Sequence, residues 1–415
     1  MLQYFSKQAI TTEDGRAVTI IHPGVRNDYS GPDFANARVQ LEDMEWVGSV
    51  EIHLNASDWN AHGHQRDPAY NGVILHVVWH ADRVVRRQDG TTMPTLVLEN
   101  RVAPSVINNY RQLVFHAPDQ KDIACAPLLA EVDEIHKLAM LDKAAALRLE
   151  RKSREVLEHL DRNRGDWSIT AYQTLFQSFG FRVNQAPFEQ LSRIVPPSLL
   201  AKYQYNFPSV VALLLGQAGL LEGEDWPSQW QETYEFLRVK HQLEGSALSR
   251  SQWRFFRTRP ANFPTVRIVQ LAALLSGCGG ELTTLFEPES VRKHCLLIKE
   301  TQRLLPASTP AIGRDSVHKI LINAVIPYQF ALGSFFKDQS RKDHALTLLQ
   351  TLPAEGNHLV GKYRGYGYPL TSALDTQAVL ELHHGFCKPK RCLSCAIGGS
   401  IIKTGDFFVA SESCQ

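Results

Sequence analysis

Residues 31–82 read GPDFANARVQLEDMEWVGSVEIHLNASDWNAHGHQRDPAYNGVILHVVWHAD, and the pairing of this stretch decides how the first part of the chain folds. It carries His53, His62, His64, His76 and His80, five of the sixteen histidines in the sequence. Ser30, Gly31 and Pro32 have turn chemistry, and residues 34–41 follow as a run of strand character. A polar segment holding Glu42, Asp43 and Glu45 reverses the chain, and residues 46–54 read as the returning strand. If paired residue numbers sum to roughly 87, Ala35 faces Ile52, Ala37 faces Val50 and Leu41 faces Trp46, which gathers apolar side chains on one face. The other face then receives Asn36, Arg38, Ser49, Glu51 and His53. Strict alternation aims Asp33 at the apolar face, so the chain needs a kink after Pro32 to bring this acid beside Glu51 and His53.

An acid at the mouth of one strand, with an acid-x-base pair on its neighbour, suits metal-dependent cleavage of phosphodiesters. Two carboxylates hold a divalent ion and leave positions open for water and a phosphate oxygen, while the third group orients or deprotonates the water. Pro32-Asp33, then Glu51-Ile52-His53 after seventeen intervening residues, resembles the Pro-Asp and Asp/Glu-x-Lys motif of the restriction-endonuclease-like nuclease superfamily. The resemblance implies Mg²⁺ or Mn²⁺ held by Asp33 and Glu51, with His53 or His62 acting on the water. His53 stands where that superfamily usually has lysine. Imidazole, with an ordinary pKa near ~6.5, can serve as a base but lacks lysine's permanent charge.

Asp58-Trp59-x-x-His62-x-His64 also resembles the aromatic, histidine-rich segment of the very-short-patch repair endonucleases. His62-Gly63-His64 with Asp67 has the outline of a metallo-hydrolase HxH motif, although Gln65-Arg66-Asp67 replaces the usual continuation. His76 and His80 lie four apart on a strand and read most simply as satisfied histidines lining the sheet. Trp46, Trp59 and Trp79 read as core. Asp58, His64, Asp67 and His76 are therefore secondary candidates behind Asp33, Glu51, His53 and His62.

Composition narrows the choices. The 415 residues exceed one ordinary core, so two or three domains are expected. An apolar content of 44% with 21% charged residues is that of a folded soluble chain. A formal net charge of +1 provides no global field toward nucleic acid or anionic membranes, so phosphate binding must be local. The most apolar run, 210–221, is interrupted by Gly216, Gln217 and Gly219 and falls short of the ~20 residues a bilayer requires. The first ten residues lack the pattern of a secretory signal. Seven cysteines, an odd number, point to a reducing compartment, and the expected location is cytoplasmic.

Along the chain, 17–22 reads as an edge strand, 73–81 as a buried strand and 95–102 as another. Residues 103–127 form a proline-rich connector with a short helix at 106–115. Helical periodicity begins near Val132 and continues through segments at 169–179, 188–194, 210–215, 226–243, 268–275, 317–332, 344–352 and 371–384. The expected fold is α+β: a mixed, restriction-endonuclease-like sheet domain over residues 1–125 and a mostly helical domain over 126–415.

Two constellations stand in the helical part. Trp253-Arg254-Phe255-Phe256-Arg257-Thr258-Arg259-Pro260-Ala261-Asn262-Phe263-Pro264, followed by Arg267, interleaves arginines with aromatics. Arg254, Arg257, Arg259 and Arg267, with Arg38 from the sheet, could hold a nucleic-acid backbone while rings stack on bases. The alternative is a structural crossing loop with Trp253, Phe256 and Phe263 in the core. Near the end, Cys387, Cys392 and Cys395 form a C-x4-C-x2-C run among Lys388, Lys390 and Arg391, a setting that favours metal-binding thiolates. His384 or His383 would complete a zinc site, with Cys414 a more distant candidate. The run also resembles the iron–sulfur loop of helix-hairpin-helix DNA glycosylases, though the usual fourth cysteine does not follow, so zinc is preferred to an iron–sulfur cluster.

GSVEIH (48–53), DWNAHGH (58–64), LHVV (75–78), RPANFPTVR (259–267) and CKPKRCLSCAIG (387–398) resemble an uncharacterised bacterial family known only as a domain of unknown function. That resemblance implies no activity. The leading expectation is metal-dependent cleavage of DNA or RNA phosphodiesters. A non-catalytic nucleic-acid or protein-binding module and a histidine–metal hydrolase of a small substrate are the alternatives.

Overall fold

β-Branched and aromatic residues alternating with polar ones build six strands: β1 (Val18–His22), β2 (Val25–Arg26), β3 (Phe34–Leu41), β4 (Met44–Asn55), β5 (Val73–His80) and β6 (Thr95–Val97). The computed structural model describes residues 4–27, 30–115, 123–222, 226–256, 260–278 and 282–404. The sheet runs β1-β3-β4-β5-β6, with β2 also pairing β3. β3 is antiparallel to β1, β2 and β4, while β4–β5 and β5–β6 are parallel. The sheet is thus mixed, and helices follow it, so the protein is α+β.

The hairpin register is tighter than expected. Leu41 pairs with Met44, Val39 with Trp46 and Ala37 with Gly48, so Ala37 does not face Val50. Glu42 and Asp43 alone form the connection, with Glu42 in the left-handed region (φ 53°). A two-residue connection is the preferred way to join antiparallel strands. The difference is an even number of residues, so from Ala37 to Leu41 each side chain keeps its expected face.

Between Ala37 and Phe34 the pairing slips by one, and Phe34 faces Val50. Asn36 sits at this bulge with φ 57°, a conformation asparagine tolerates better than most residues. Above the bulge Ala37, Val39 and Leu41 are buried on one face; below it Phe34 takes that face. The slip turns Asp33 to the opposite side. The necessary kink is therefore at Asn36, not directly after Pro32.

The two faces differ. One packs Val18, Phe34, Ala37, Val39, Leu41, Val50, Leu75 and Leu96 into an apolar cluster. The other carries Ala56, Trp59, Val73, Val78, Val85 and Met93 as a smaller core beneath the β4–β5 crossover. That crossover contains three helical turns, Asp58–Ala61, His64–Arg66 and Pro68–Tyr70. Trp59 is buried as expected, but Trp46 is 40% exposed near the hairpin tip.

Contacts divide the described residues into Met1–His136 with Phe386–Gln415, and Lys137–Gly385. The last segment therefore belongs with the sheet unit, whereas the sequence pattern groups it with the helices. In the helical unit, Phe207–Gln217, Pro264–Gly277 and the continuous run from Arg314 to Phe335 supply fully buried side chains such as Leu213, Leu271 and Ile320. The long helix Glu134–Arg162 buries its stripe from Met140 and Leu141 onward, while Ile135 and Leu138 are exposed. Among the described residues no helix is long and apolar enough to cross a membrane.

The bulge yields a direct expectation. Asn36→Val places a β-branched residue in the left-handed region and should cost about 1–2 kcal/mol, read as a lower urea midpoint of the sheet unit. Asn36→Gly should lie within about 0.5 kcal/mol of wild type. Equal loss in both would mean that the asparagine side chain, not the backbone angle, holds the bulge.

A candidate histidine-rich metal centre

Alternation along β4 sends Glu51 and His53 to the same face, and the parallel register sets Glu51 opposite His76 on β5. The crossover then delivers two more imidazoles. His62 ends the turn Asp58–Ala61, Gly63 adopts φ 79°, and His64 begins the next turn. The positive φ at Gly63 swings the chain so that His62 and His64 converge on His53.

His53 Nε2 lies 3.1 Å from His62 Nδ1 and 3.5 Å from Glu51 Oε1. His64 Nε2 lies 3.4 Å from the same Glu51 oxygen. His53, His62 and His64 each offer a ligand atom within 4.8 Å of the others. Ligands bound at ~2.0–2.1 Å around a tetrahedral ion are separated by about 3.3–3.4 Å, so these spacings match the edges of a metal coordination shell. His64 Nε2 is buried and makes no hydrogen bond, which leaves a lone pair or a proton without a partner. The donor set therefore fits a divalent ion.

A supporting layer fixes the rings. His53 Nδ1 lies 2.9 Å from Nε2 of the fully buried His76. An ion on His53 Nε2 leaves its proton on Nδ1, where His76 accepts it and orients the ring. His64 stacks on Tyr70 with ring centroids 3.7 Å apart, and Trp59 meets His64 edge-on and His76 at a tilt of 58°. Of the three converging imidazoles, His62 is the exposed one, so the centre opens on that side.

The two acids are tied to each other's strands. The Asp33 N–H donates to Glu51 Oε2, and the Ile52 N–H donates to Asp33 Oδ2, both at 3.0 Å. Each carboxylate thus uses one oxygen to lock β3 to β4, and Glu51 turns its other oxygen toward the histidines. Burial pushes the Glu51 carboxyl up to about 7; the Asp33 N–H bond opposes this and the Asp33 charge adds to it. Burial, then the neighbouring His64 and His62, bring His53 down to about 4. Burial and His53 lower His76 to about 3, and burial lowers His64 as well. A cluster in which imidazoles resist protonation and share one acid presents neutral nitrogen donors near neutral pH.

Asp33, Glu51, His53, His62, His64 and His76 are therefore brought together. Asp58 instead accepts from the Asn55 N–H at 2.9 Å, and Asp67 from the Ala69 N–H at 2.9 Å, so both shape the crossover. His80 is exposed and pairs with Glu99 at 2.9 Å rather than lining the sheet with His76. Arg38 pairs with Glu45 at the hairpin tip.

In the helical unit Arg267 is only 3% exposed and bonds Gln270, Asn262 and Ser316, with its guanidinium over the Phe181 ring. Its expected role in gripping nucleic acid is corrected: this arginine is a buried packing element. Trp253 is buried and donates to the Ala218 carbonyl at 2.7 Å, whereas Phe256 is 82% exposed. The Arg254 side chain is exposed, while Arg257, Arg259 and Cys414 lie outside the described residues. His384 Nδ1 bonds the Leu380 carbonyl at 2.8 Å. Cys387, Cys392 and Cys395 lie in the sheet unit. Tyr70 was not anticipated; its place two residues after Pro68 in a turn gave no signal that it would stack on His64.

An α+β chain with a histidine-rich cluster on one face of a mixed sheet is the class these features define. The chain belongs to the family described as Protein of unknown function (DUF2851), whose model matches residues 1–358. The match contains the whole histidine cluster and ends before the cysteine run at 387–395. No curated protein and no solved structure matches the chain.

If these imidazoles form one shell, His62→Ala should weaken zinc binding at the cluster by at least about tenfold, measured by competition with a chromogenic chelator. Asp58→Asn should leave that affinity within about twofold of wild type, because Asp58 serves the loop backbone.

Proposed function

We propose that the sheet unit is a metal-dependent hydrolase of phosphodiester bonds, with nucleic acid as its substrate class. The observation that carries this reading is the set of 3.1–3.5 Å separations among His53, His62, His64 and Glu51. Three imidazoles and a carboxylate suit Zn²⁺ or a similar transition ion better than Mg²⁺, which prefers oxygen donors and bound water. The metal preference thus moves from a two-carboxylate Mg²⁺ or Mn²⁺ site toward a histidine-bound ion. Such an ion, when bound, lowers the pKa of a water and polarises a phosphoryl oxygen.

The chain's own groups divide the remaining work. Glu51 has one oxygen fixed by the Asp33 N–H and the other facing the histidines, so it can receive a proton from a water held there. Asp33 holds β4 through the Ile52 N–H and keeps Glu51 in place. His76 orients His53, and the exposed His62 borders the side from which a substrate would approach. Nucleic acid is favoured over other phosphodiesters by Pro32-Asp33 and Glu51-x-His53 on neighbouring strands of a mixed sheet, the arrangement of the restriction-endonuclease-like motif. A second reading, hydrolysis of a small phosphorylated or amide substrate, is favoured by the convergence of three histidines in place of a purely carboxylate site.

Plasmid DNA, structured RNA and bis(p-nitrophenyl) phosphate, each incubated with chain loaded with Zn²⁺, Mn²⁺ or Mg²⁺, separate these readings. Wild type should cleave nucleic acid best with Zn²⁺ or Mn²⁺, and Glu51→Gln should lose about 10²–10⁴-fold of the rate. Turnover of the small ester with nucleic acids left intact would select the second reading. Equal rates in wild type and Glu51→Gln, or no hydrolysis with any ion, would overturn the hydrolase.

A further inference from the structure

We propose that a cavity in the helical unit, walled by Arg148, Arg151, Lys152, Arg182 and Lys319, binds a ligand through a phosphate monoester group. The cavity measures about 430 Å³, within the range of small-molecule sites. All of its walls belong to the unit Lys137–Gly385, so this site is separate from the histidine cluster.

Helical spacing builds one wall. Arg148, Arg151, Lys152 and Glu155 recur at three- and four-residue steps on the helix Glu134–Arg162 and so share a face. Arg148 Nε donates to Gln377 Oε1 at 2.9 Å, and the Gln377 amide donates to Glu355. Arg151 lies 3.0 Å from Glu381 and 2.8 Å from Glu155, while Arg148 reaches the same Glu381 oxygen at 3.5 Å. These bonds hold both guanidinium groups in place. Among the described residues Lys152, Arg182 and Lys319 have no acid partner, and Lys152 donates to Asn323. Five cations thus meet three acids, Glu155, Glu355 and Glu381, which leaves a surplus of two positive charges. Near neutral pH a phosphate monoester carries nearly two negative charges, whereas a carboxylate or a phosphodiester carries one. The monoester is the closer match.

Uncommon backbone features shape the other walls. Leu321–Val325 is a π-helical turn, and such turns are frequent at functional sites. It places Asn323 so that its amide donates to the Lys319 carbonyl at 2.7 Å and accepts from Lys152. A second π segment begins at Leu382, directly after Leu380 and Glu381. Phe181 also lines the cavity and sits at φ 48°, a region that bulky residues rarely enter. Arg267 holds it there, with its guanidinium 4.4 Å from the ring centroid. The buried arginine of the RPANFPTVR segment therefore positions an aromatic wall against which the body of a ligand can pack.

Lys152 gives the cavity a titratable group. Burial, then Arg148, bring its amine down to about 7; Glu155 and Glu355 oppose this and Arg151 adds to it. His159, on the same helix, borders a smaller cavity that Lys152 shares, and burial lowers its pKa too. Arg182 and Lys319 face the site from other elements. A bound dianion favours the charged amine, so binding above pH ~7 takes up a proton on Lys152.

Isothermal titration calorimetry on the full chain, stripped of metal with a chelator, tests the site. The probes are inorganic phosphate, adenosine 5′-monophosphate, adenosine and a 5′-phosphorylated tetranucleotide. Phosphate and the monophosphate should bind, with adenosine at least about tenfold weaker. Arg182→Gln and Lys319→Gln, both at exposed positions, should each weaken the monophosphate about threefold to tenfold, and Lys152→Met at least about tenfold. Lys202→Gln, outside the cavity, should change nothing. Near pH ~8, heats in buffers of different ionisation enthalpy should show uptake approaching one proton in wild type and none in Lys152→Met. Tighter binding of the tetranucleotide than of the mononucleotide would support a nucleic-acid end as the source of the phosphate, and the reverse order a small metabolite. No binding of phosphate or the monophosphate at millimolar concentration would overturn the proposal. So would equal affinity for adenosine and its monophosphate, or unchanged affinity in all three cavity variants.

Discussion

A two-stranded hairpin that buries one face and sends acids to the other must change its alternation once, and Asn36 is where this chain does so. Without that slip Phe34 would leave the apolar cluster and Asp33 would enter it. With it, the start of β3 and the middle of β4 close through two reciprocal carboxylate-to-backbone bonds, Asp33 N–H to Glu51 and Ile52 N–H to Asp33. Backbone N–H groups near the strand's irregular start thereby gain partners. The same bonds fix the rotamer of Glu51, and Glu51 in turn determines where its free oxygen meets His53 and His64.

Around that oxygen the packing is costly for the protein alone. His76 is fully buried, His64 nearly so, and each has a ring nitrogen without a hydrogen-bond partner. An unsatisfied buried polar group costs about 1–3 kcal/mol; His64 Nε2 lies 3.4 Å from Glu51 Oε1 in the cluster and argues for a bound ion there, whereas the orphan of His76 is Nδ1, not the nitrogen that meets His53. Tyr70 and Trp59 hold the rings at fixed angles from below, which limits the reorganisation needed when an ion enters. Structural support and candidate chemistry thus share the same few residues, and changing one perturbs both.

Much of the sheet was legible because its signals are local. Alternation located β3, β4 and β5 within a few residues, and the density of histidines in residues 31–82 marked the surface where His53, His62 and His64 converge. The bulge was less accessible: an Ala-Asn-Ala sequence gives no sign that Asn36 will take a positive φ. The hairpin register was misjudged because Glu45 looks like part of a polar turn, while its pairing with Gln40 extends the strand. Arg267 illustrates a different limit. Arginine among aromatics suits phosphate binding and buried stacking equally well until three polar partners and the Phe181 ring are seen around it. The run at 387–395 was grouped with the helices because only the three-dimensional return of the chain brings it into the sheet unit.

The central claim is that His53, His62 and His64 face one ion with Glu51 at its side. Crystals grown with Zn²⁺, with diffraction recorded on both sides of the zinc absorption edge, test it most directly. The account predicts an anomalous peak about 2.0–2.2 Å from one nitrogen of each of the three imidazoles, with Glu51 Oε1 beside the remaining position. A difference map with zinc in solution but no peak among these side chains, or a peak held by Asp33 and Glu51 with the imidazoles turned away, would contradict it.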